Sequence, residues 1–559
     1  MIRGAACAVG VLSMALVSGA MAEPWRGEIA DAAGPGPGGS VRLSVVPALY
    51  EAWNASDEVI VERFPLSDGR EMTLRLSRFE ALAPDATIVV ATPEGERPLP
   101  RPAMTLWGGT TDEDPSLRVY LAVTAERLDG LVWSDQHTFV ITSGPEDRVM
   151  PTVIYDMREM PEEFLGLTGG GCSALRAPNV TLPAEQAAGV RGSPPCRIAM
   201  IAIETDHETL AAYQGNTAMA TEYLTRLMGA VSQVYFADVN MRLQIPYLRL
   251  WADPNDPWDQ TDMGPQLDQF RSHWATNMRG VRRTLAHYLT FRGLGGGVAW
   301  VGTICDYDWG FGLSSGVGGG FPYPLQNNNN RNWPIFVTAH ELGHNFGSLH
   351  THDGYTPPID GCGNGDCTNA NLGTIMSYCH GCEGGMRNIV LTLGPQVSQQ
   401  ILSVLQSRDT TCRLWGSVRF RTHPRDTTVR RGMPVTLTSE ATGPGVLGYR
   451  WFRNGTSLAG QTGPTLTLSS ASLANAGVYT VQAFNVCSTV IVSNPATLTV
   501  RCRADFDRDG FVDFFDVDAY YACFEGLSCP AGESADFTGD GFVDFFDIDA
   551  FFEAFEGEC

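Results

Sequence analysis

The chain has 559 residues, which predicts about three to five domains at the usual size of roughly 100–200 residues each. A hydrophobic content of 43% with 10% aromatic residues is sufficient for packed cores and excludes a wholly disordered chain. The net charge is −24, and all 38 basic residues are arginines. An acidic surface repels phosphate backbones, which excludes nucleic acid as the expected partner.

The first 22 residues are predicted to be an export signal peptide. Arg3 supplies the positive charge, Ala5–Val17 is apolar, and Ala20–Ala22 has the small-x-small pattern of a cleavage site. The alternative is a retained anchor, although the apolar stretch is short for a bilayer and no other segment has membrane length. We therefore expect a secreted, extracellular or cell-surface-associated protein without a membrane span after signal removal, with most of its cysteines paired.

Residues 23–195 are predicted to form a β-rich leader and a linker. The linker, from Gly166 to Pro195, is rich in glycine and proline. The leader contains no constellation of side chains that indicates catalysis. The predicted strands are Met72–Phe79, Thr87–Ala91, Leu117–Val123 and Thr138–Thr142.

Residues 196–415 are predicted to form a separate domain of mixed α/β (α+β) type. Strand-like and helix-like hydrophobic periods alternate here, which is typical of helices packed on a sheet. The predicted strands are Arg197–Ile203, Met241–Trp251 and Gly297–Gly302, and the predicted helices are Glu208–Phe236 and Gln266–Ala286.

A cluster of histidines lies in the second half of this domain. His340 and His344 are four residues apart, which places both imidazoles on one face of a helix. Gly347 permits a sharp turn after the helix, so that His350 returns as a third ligand. Three protein ligands with one open position are typical of catalytic Zn²⁺ sites. Glu341 is then the predicted general base, which takes a proton from the attacking water.

A methionine turn supports this prediction. Gly373–Tyr378 contains Met376 downstream of the histidines, and together these motifs match the metzincin signature. Residues 197–412 resemble the reprolysin (adamalysin-like) branch of the metzincin zinc proteases. The resemblance implies that Met376 forms the hydrophobic floor of the site, and that the Gly297–Gly302 strand lines the cleft to which an extended substrate adds.

The resemblance leaves several neighbouring side chains open. Adamalysins carry aspartate directly after the third histidine, whereas this chain has Thr351 and His352 before Asp353. Tyr378 is similar to a tyrosine that other metzincins use as a switchable zinc ligand, and packing alone is the alternative. We do not assign His352, Asp353 or His380 as ligands, because a fourth protein ligand would close the site.

The resemblance also implies a propeptide whose cysteine holds the zinc in the inactive enzyme. Cys172, after Gly169–Gly171, is the candidate, with Cys196 as its rival and a structural cysteine as the alternative to both. Of 14 cysteines, Cys7 leaves with the signal, and removing Cys172 as well leaves an even number. The family further implies a Cys305–Cys412 disulfide. The pairing order is open among Cys362, Cys367, Cys379 and Cys382.

Residues 416–500 are predicted to be an all-β sandwich that resembles immunoglobulin-like domains. Val435–Leu437, Tyr449–Trp451 and Gly477–Tyr479 match strand B, strand C and the tyrosine corner of that fold. Ser439 stands where the cysteine of strand B would be, so we expect no intersheet disulfide. A binding module and a rigid spacer are both open.

Residues 501–559 contain an internal repeat with a period of 31 residues. Each copy has EF-hand-like spacing, with Gly510 or Gly541 at the sharp turn, and is followed by an apolar helix. The pair resembles a dockerin, a small α-helical calcium-binding module that docks a cohesin, and Cys502 and Cys559 could clasp its ends. The predicted Ca²⁺ ligands are Asp505, Asp507, Asp509, the Phe511 carbonyl, Asp513 and Asp516, then Asp536, Thr538, Asp540, the Phe542 carbonyl, Asp544 and Asp547.

The sequence as a whole predicts a secreted zinc endopeptidase that is made as a zymogen and cleaves proteins or peptides. Its partner, through the C-terminal repeats, would be cohesin-like or on a cell surface. The alternative is an inactive adhesion or docking protein that uses the immunoglobulin-like and calcium modules. Hydrolysis of a substrate other than protein is the third possibility.

Overall fold

The computed structural model describes most of the chain. The described residues are 24–46, 48–54, 56–144, 150–160, 171–178, 180, 182, 196–318, 333–412, 414, 418–443, 447–485 and 490–557. The predicted signal peptide, Cys7 and most of the predicted linker therefore lie outside the described residues. Within these ranges, no helix combines the length and the apolar character that a bilayer crossing requires.

The N-terminal region is β-rich, as predicted. Ten strands form one sheet in the order β1-β4-β5-β8-β9-β10-β11-β12-β3-β2, and the short helix α1 (Leu49–Asn54) supplies Trp53 to its core. Residues alternate between buried and exposed along β5, as expected for a sheet with one face in the core. The ten strands are β1 (Trp25–Gly27), β2 (Ala30–Pro35), β3 (Val41–Val45), β4 (Glu58–Pro65), β5 (Glu71–Phe79), β8 (Thr105–Thr111), β9 (Arg118–Val123), β10 (Leu128–Trp133), β11 (Thr138–Thr142) and β12 (Val153–Asp156), while β6 (Leu82–Thr92) and β7 (Gly95–Pro98) belong to the second sheet.

The second sheet has eight strands in the order β13-β17-β18-β16-β14-β15-β6-β7. Its central strands are parallel and buried on both faces, which explains the unbroken apolar runs in β14 and β16. Besides β6 and β7, the strands of this sheet are β13 (Gly171–Arg176), β14 (Arg197–Glu204), β15 (Met241–Trp251), β16 (Leu285–Thr290), β17 (Gly296–Val301) and β18 (Phe311–Ser315). The helices are α2 (His207–Ala211), α3 (Thr217–Val239), α4 (Met263–Asn277), α5 (Trp333–Asn345) and α6 (Pro395–Cys412).

The expected division into a leader and a separate catalytic domain is wrong in one respect. Three strands of the leader, namely β6, β7 and β13, lie in the second sheet and cover both of its edges. Residues of the leader and of the following domain also share one hydrophobic core. Sequence periodicity gives the type of an element but not its partner strand, so this error is one of long-range pairing.

Two predicted helices also differ in extent. The single helix expected over 208–236 is broken, because Gly215 adopts a positive φ of 80° and the side chain of Asn216 caps α3. The helix expected over 266–286 ends at Asn277, and the chain then enters β16, whose six residues are all buried between β14 and β18. Burial between two strands outweighs local helix propensity there.

Disulfides surround the second half of the catalytic region. Cys305 is bonded to Cys412, as the family resemblance implied. The pairing order that was open is Cys362–Cys379 and Cys367–Cys382. Cys196 is disulfide-bonded as well, and Cys172 is the free cysteine of the described residues.

The region after α6 forms the predicted β-sandwich. Trp451 is fully buried in its core, and the Tyr479 hydroxyl donates to the carbonyl of Asn475 at 2.6 Å, the contact of a tyrosine corner. Ser439 Oγ donates to the carbonyl of Pro464 where the disulfide would be. The strands are β19 (Arg419–Thr422), β20 (Thr427–Arg430), β21 (Val435–Thr438), β22 (Glu440–Thr442), β23 (Gly448–Arg453), β24 (Thr456–Ser457), β25 (Thr465–Leu468), β26 (Gly477–Phe484), β27 (Val490–Val492) and β28 (Ala496–Arg501).

The C-terminal repeats fold as two loop–helix units, with helices α7 (Phe514–Phe524) and α8 (Phe545–Glu556). The rings of Tyr520 and Phe551 stack at 4.1 Å between the helices and form the centre of a small core. Cys523 is bonded to Cys529, a pairing that the sequence did not indicate. Cys502 is disulfide-bonded, whereas Cys559 lies outside the described residues.

Candidate metal centre and cleft

Helix α5 brings the three predicted histidines together. His344 Nε2 lies 3.1 Å from His340 Nε2 and 3.0 Å from His350 Nε2, and all three side chains are buried. Three nitrogens at about 2.0–2.1 Å from a tetrahedral zinc ion would stand roughly 3.3 Å apart. The spacing of these nitrogens therefore fits one shared Zn²⁺ ion.

The outer ring nitrogens determine which tautomer each histidine adopts. His340 Nδ1 lies 2.6 Å from the carbonyl of Ile375, and His344 Nδ1 lies 2.9 Å from that of Ser348. A carbonyl only accepts, so each Nδ1 carries the proton and each Nε2 keeps its lone pair for a metal. Burial lowers the pKa of His344 to about 3 and that of His350 to about 4, and it lowers the pKa of His340 well below its usual value. Neutral imidazoles are the form that binds zinc.

Gly347 and Met376, the predicted turn and floor residues, both lie beside the histidines. Gly347 has a φ of 101°, a conformation that favours glycine, and the chain turns there so that His350 faces the helix. Met376 is fully buried, and its Sδ would lie 2.6 Å from a Cβ added at Gly343. The methionine therefore packs directly under the helical turn that carries the first two histidines. Sequence reasoning did not single out Gly343, although its position between the two ligands was the available signal.

Glu341 lies on the same helix and faces strand β17, which pairs with β13 and β18. It is fully buried, and its carboxylate interacts with the Cys172 thiol. A Cβ added at Gly297 would lie 2.4 Å from Glu341 Oε1, so the glycine leaves the space that this side chain occupies. Burial raises the pKa of Glu341 well above its usual value. Gly297 is a second residue that sequence reasoning missed, and the glycine run that contains it was the only signal.

Strand β13 places Cys172 at the same point. It pairs in parallel with β17, and Cys172 is opposite Gly297. The Cys172 sulfur, a ring nitrogen of His340 and a carboxylate oxygen of Glu341 all lie within 4.8 Å of one another. Burial, followed by the charge of Glu341, raises the pKa of the Cys172 thiol well above its usual value. Between the two predicted rivals, the structure places Cys172 at the centre, whereas Cys196 is engaged in a disulfide.

The neighbouring aromatic and polar side chains surround the histidines. The Tyr378 hydroxyl donates to the backbone carbonyl of Cys172, so in this structure it holds β13. The His352 ring stacks on His350, with centroids 5.3 Å apart, and His380 packs against Phe336. Asp353 Oδ1 lies 3.8 Å from His350 Nδ1, the nitrogen that faces away from the other two rings. His352 and Asp353 thus lie against His350, Tyr378 contacts the leader, and His380 packs against the helix that carries the first two histidines.

The C-terminal loops show a second candidate cation site. Carboxylate oxygens of Asp505, Asp507 and Asp509 lie within 4.8 Å of one another. In the first repeat Asp513 caps α7 and the buried Asp516 accepts three backbone N–H groups, and in the second repeat Asp544 and Asp547 take the corresponding positions. The other predicted second-loop residues surround the turn, where Asp536 accepts the N–H groups of Gly539, Asp540 and Gly541, and Thr538 donates its N–H to Asp547. Phe511 and Phe542, whose carbonyls are predicted ligands, have exposed side chains at corresponding positions of the two loops.

Comparison with known proteins agrees with this geometry. Residues 195–390 match the family described as metallo-peptidase family M12, of the reprolysin type, and residues 419–485 match the immunoglobulin domain family. Snake venom metalloproteinase TM-1 of Protobothrops mucrosquamatus is 26% identical over 168 residues, which cover 29% of this chain and 76% of that protein. The disintegrin and metalloproteinase domain-containing protein adm-2 of Caenorhabditis elegans is 22% identical over 28% of this chain and 15% of its own.

Zinc metalloproteinase-disintegrin-like brevilysin H2a of Gloydius brevicauda is 26% identical over 28% of this chain, and the match covers 35% of that protein. The aligned part is thus well under half of the last two relatives. The chain contains a reprolysin-type metallopeptidase domain, for which zinc is the implied metal and protein the implied substrate class, together with an immunoglobulin-like domain.

Proposed function

We propose that this protein is a secreted zinc endopeptidase that is synthesised as a zymogen. The observation that carries the proposal is the convergence of three histidine Nε2 atoms beside the buried carboxylate of Glu341. Zinc held by His340, His344 and His350 would act as a Lewis acid, polarising a substrate carbonyl and lowering the pKa of the attacking water or of the Cys172 thiol.

The residues of the chain have distinct parts in the proposed reaction. The Glu341 carboxylate takes a proton from water as the water oxygen bonds to the peptide carbonyl carbon, and it returns that proton to the amine nitrogen when the C–N bond breaks. Glu341 is placed for this part because its buried carboxylate lies beside His340, next to the position of the metal. Once β13 is removed, the edge of β17 would bind the substrate backbone through strand addition.

In the zymogen, β13 occupies that edge. Its pairing with β17 uses the backbone groups that an extended substrate would need, and Cys172 fills the position next to His340 and Glu341. The Tyr378 hydroxyl holds the Cys172 peptide from the other side. Removing the segment that contains β13 would therefore open the cleft, the metal and the general base together.

Proteolysis of an unfolded protein substrate tests this proposal. The chain is cut in the segment 183–195 and compared with the same chain carrying Glu341→Gln, which keeps the shape of the side chain and removes its basicity. We expect cleavage by the parent, loss of about 10²–10⁴-fold of the rate in the variant, and loss of activity with a zinc chelator. A parent chain that stays inactive after Cys172→Ala and cleavage, with zinc present, would instead favour an adhesion or docking protein.

We also propose that the two C-terminal loops bind Ca²⁺ and locate the enzyme at a cohesin-like or cell-surface partner. The clustering of three carboxylates in the first loop supports this, as does the repetition of its turn and cap in the second. Isothermal titration of the chelator-treated chain with CaCl₂ tests it. We expect the titration to show two Ca²⁺-binding events, one for each loop. A titration without any heat of binding would contradict the proposal. The predicted signal peptide supports export.

A further inference from the structure

The catalytic sheet is incomplete without the N-terminal region. Strand β15 lies at the edge of the metallopeptidase domain's own strands, and β6 pairs with it in parallel from Leu82 opposite Ile245 to Ala91 opposite Trp251. The β6–β7 hairpin thus covers an edge that is remote from the cleft. Without this hairpin, β15 would be an exposed edge strand of eleven mostly apolar residues, which is prone to aggregation.

The two sides are shaped to each other where α3 crosses the N-terminal sheet. A Cβ added at Gly229 on α3 would lie 2.6 Å from the Tyr120 hydroxyl, and a Cβ added at Gly108 on β8 would lie 2.2 Å from Gln233 Oε1. Each surface therefore presents a glycine where the other approaches closely. The Tyr120 hydroxyl uses this space to donate to the carbonyl of Arg226 at 2.7 Å.

Charged groups also pair between the N-terminal region and the domain that follows it. Arg226 NH1 lies 2.8 Å from Asp129 Oδ2, and the two side chains are 1% and 0% exposed. Arg118 contacts the buried Asp238 at 3.0 Å, and Arg249 contacts Glu96 at 3.0 Å on the far edge. Removing one member of a buried ion pair leaves the other charge unpaired in the interior, which is strongly unfavourable.

Arg242, on β15, also contacts both the N-terminal region and the domain that follows it. Its guanidinium lies between two rings, 4.1 Å from the centroid of Phe79 on β5 and 3.6 Å from that of Phe236. Its NH1 donates to Gln233 Oε1. Losing the N-terminal region would remove one ring of this pair and expose the rest of the shared core.

Strand β13 is attached quite differently. It is an edge strand, and of its six residues only Cys172 is buried. Its described contacts with the domain are backbone pairing with β17, the hydroxyl of Tyr378, and the packing of Cys172 and the half-buried Leu175. The segment that blocks the cleft is thus lightly held, whereas residues 24–160 share a core with the domain that they precede.

We propose that residues 24–160 remain a permanent, non-covalently bound part of the mature enzyme, and that activation removes only the short segment containing β13. The inference rests on the proposed zymogen, but it concerns which piece leaves. The mature enzyme is accordingly a two-chain molecule, in which the N-terminal chain supplies strands β6 and β7 to the catalytic sheet and the ion partners of α3.

The experiment uses the full chain with a recognition sequence for a site-specific protease placed in 161–170 and another in 183–195. Glu341→Gln in this chain prevents self-digestion. After both cuts and extended dilution, the sample is separated by size exclusion in native buffer and in urea. We expect the N-terminal and C-terminal pieces to elute together in equal amounts in native buffer and apart in urea, with the middle peptide lost. An N-terminal piece that elutes alone, beside a folded and monomeric C-terminal piece, overturns the inference.

Two variants make the result specific. Asp129→Ala removes the buried carboxylate that Arg226 contacts across the interface and should release the N-terminal piece after cutting, whereas Asp31→Ala, at an exposed position on β2, should not. Equal retention in both would mean that the buried contact does not hold the pieces together. Activity is read separately in the same doubly cut chain with Glu341 restored. Retention without activity refutes the proposed function alone, and activity with release refutes this inference alone.

Discussion

Replacing His287 with glutamine should remove a defined part of the protein's sensitivity to acid. His287 lies on the central strand β16, fully buried, with Nε2 2.9 Å from Ser314 Oγ and no described partner for Nδ1. Burial lowers its pKa from the usual 6.5 to about 3. The native imidazole therefore stays neutral at acid pH, where the unfolded chain takes up a proton.

The sign and the size of the effect follow from this difference. The stabilisation is fully present above pH 6.5 and is lost progressively as the pH falls from 6.5 towards 3, because the unfolded state binds the extra proton. At about 1.4 kcal/mol per unit of pKa, the loss is roughly 1.4 kcal/mol at pH 5.5 and roughly 2.7 kcal/mol at pH 4.5. Glutamine does not titrate, so the variant lacks this pH-dependent change in the free energy of unfolding. The comparison uses only the change with pH and does not depend on the absolute stability of either chain.

Urea unfolding followed by tryptophan fluorescence measures the effect, since eleven of the twelve tryptophans precede the immunoglobulin-like strands. Both chains carry Glu341→Gln, so neither digests itself. The free energy of unfolding should fall by about 2.7 kcal/mol more in the His287 chain than in the glutamine chain between pH 7.5 and 4.5. Loss of metal in acid affects both chains alike. Parallel curves for the two chains would refute the reasoning.

Three further outcomes are expected. Met376→Ala should cost about 2–5 kcal/mol of stability through the cavity it leaves, and should weaken zinc binding in a chelator competition; an unchanged affinity would separate the methionine from the metal centre. Tyr378→Phe removes the hydrogen bond to β13, worth about 1 kcal/mol, and should speed labelling of Cys172 by a thiol reagent roughly five-fold, whereas an unchanged labelling rate would count against that bond. Asp516→Asn should raise the half-saturating Ca²⁺ concentration roughly tenfold in calorimetry and the exposed Asp518→Asn should not, and equal effects would mean only a general charge response.

The metal centre is the part that the sequence predicted best. The spacing of His340 and His344, with Gly347 before His350, requires only a helix and one left-handed residue to bring the three rings together, and both are local. The strands of the sandwich and the Tyr479 corner are likewise governed by short-range patterns.

The relation of the leader to the catalytic domain could not be predicted. Alternating residues identify β6 as a strand but carry no information on which strand it joins, and parallel pairing with β15 leaves no turn between them in the sequence. The burial of Arg226 against Asp129 was equally hidden, since each residue alone is typical of a surface. Cys172 was predicted beside its rival Cys196 and the alternative of a structural cysteine, and the β13–β17 register together with the disulfide of Cys196 distinguishes the two in the structure.

The pairing of β6 with β15 also determines the order in which the chain can reach its native state. Leu82 and Ile245 are far apart in sequence, and so are Gly171 and Gly296, so the catalytic sheet depends on contacts of long range and should form slowly. The N-terminal strands leave the ribosome first, and they are available when β15 appears. We therefore expect the leader to act as a template during folding, and a chain that begins at residue 196 to aggregate on refolding unless residues 24–160 are supplied separately.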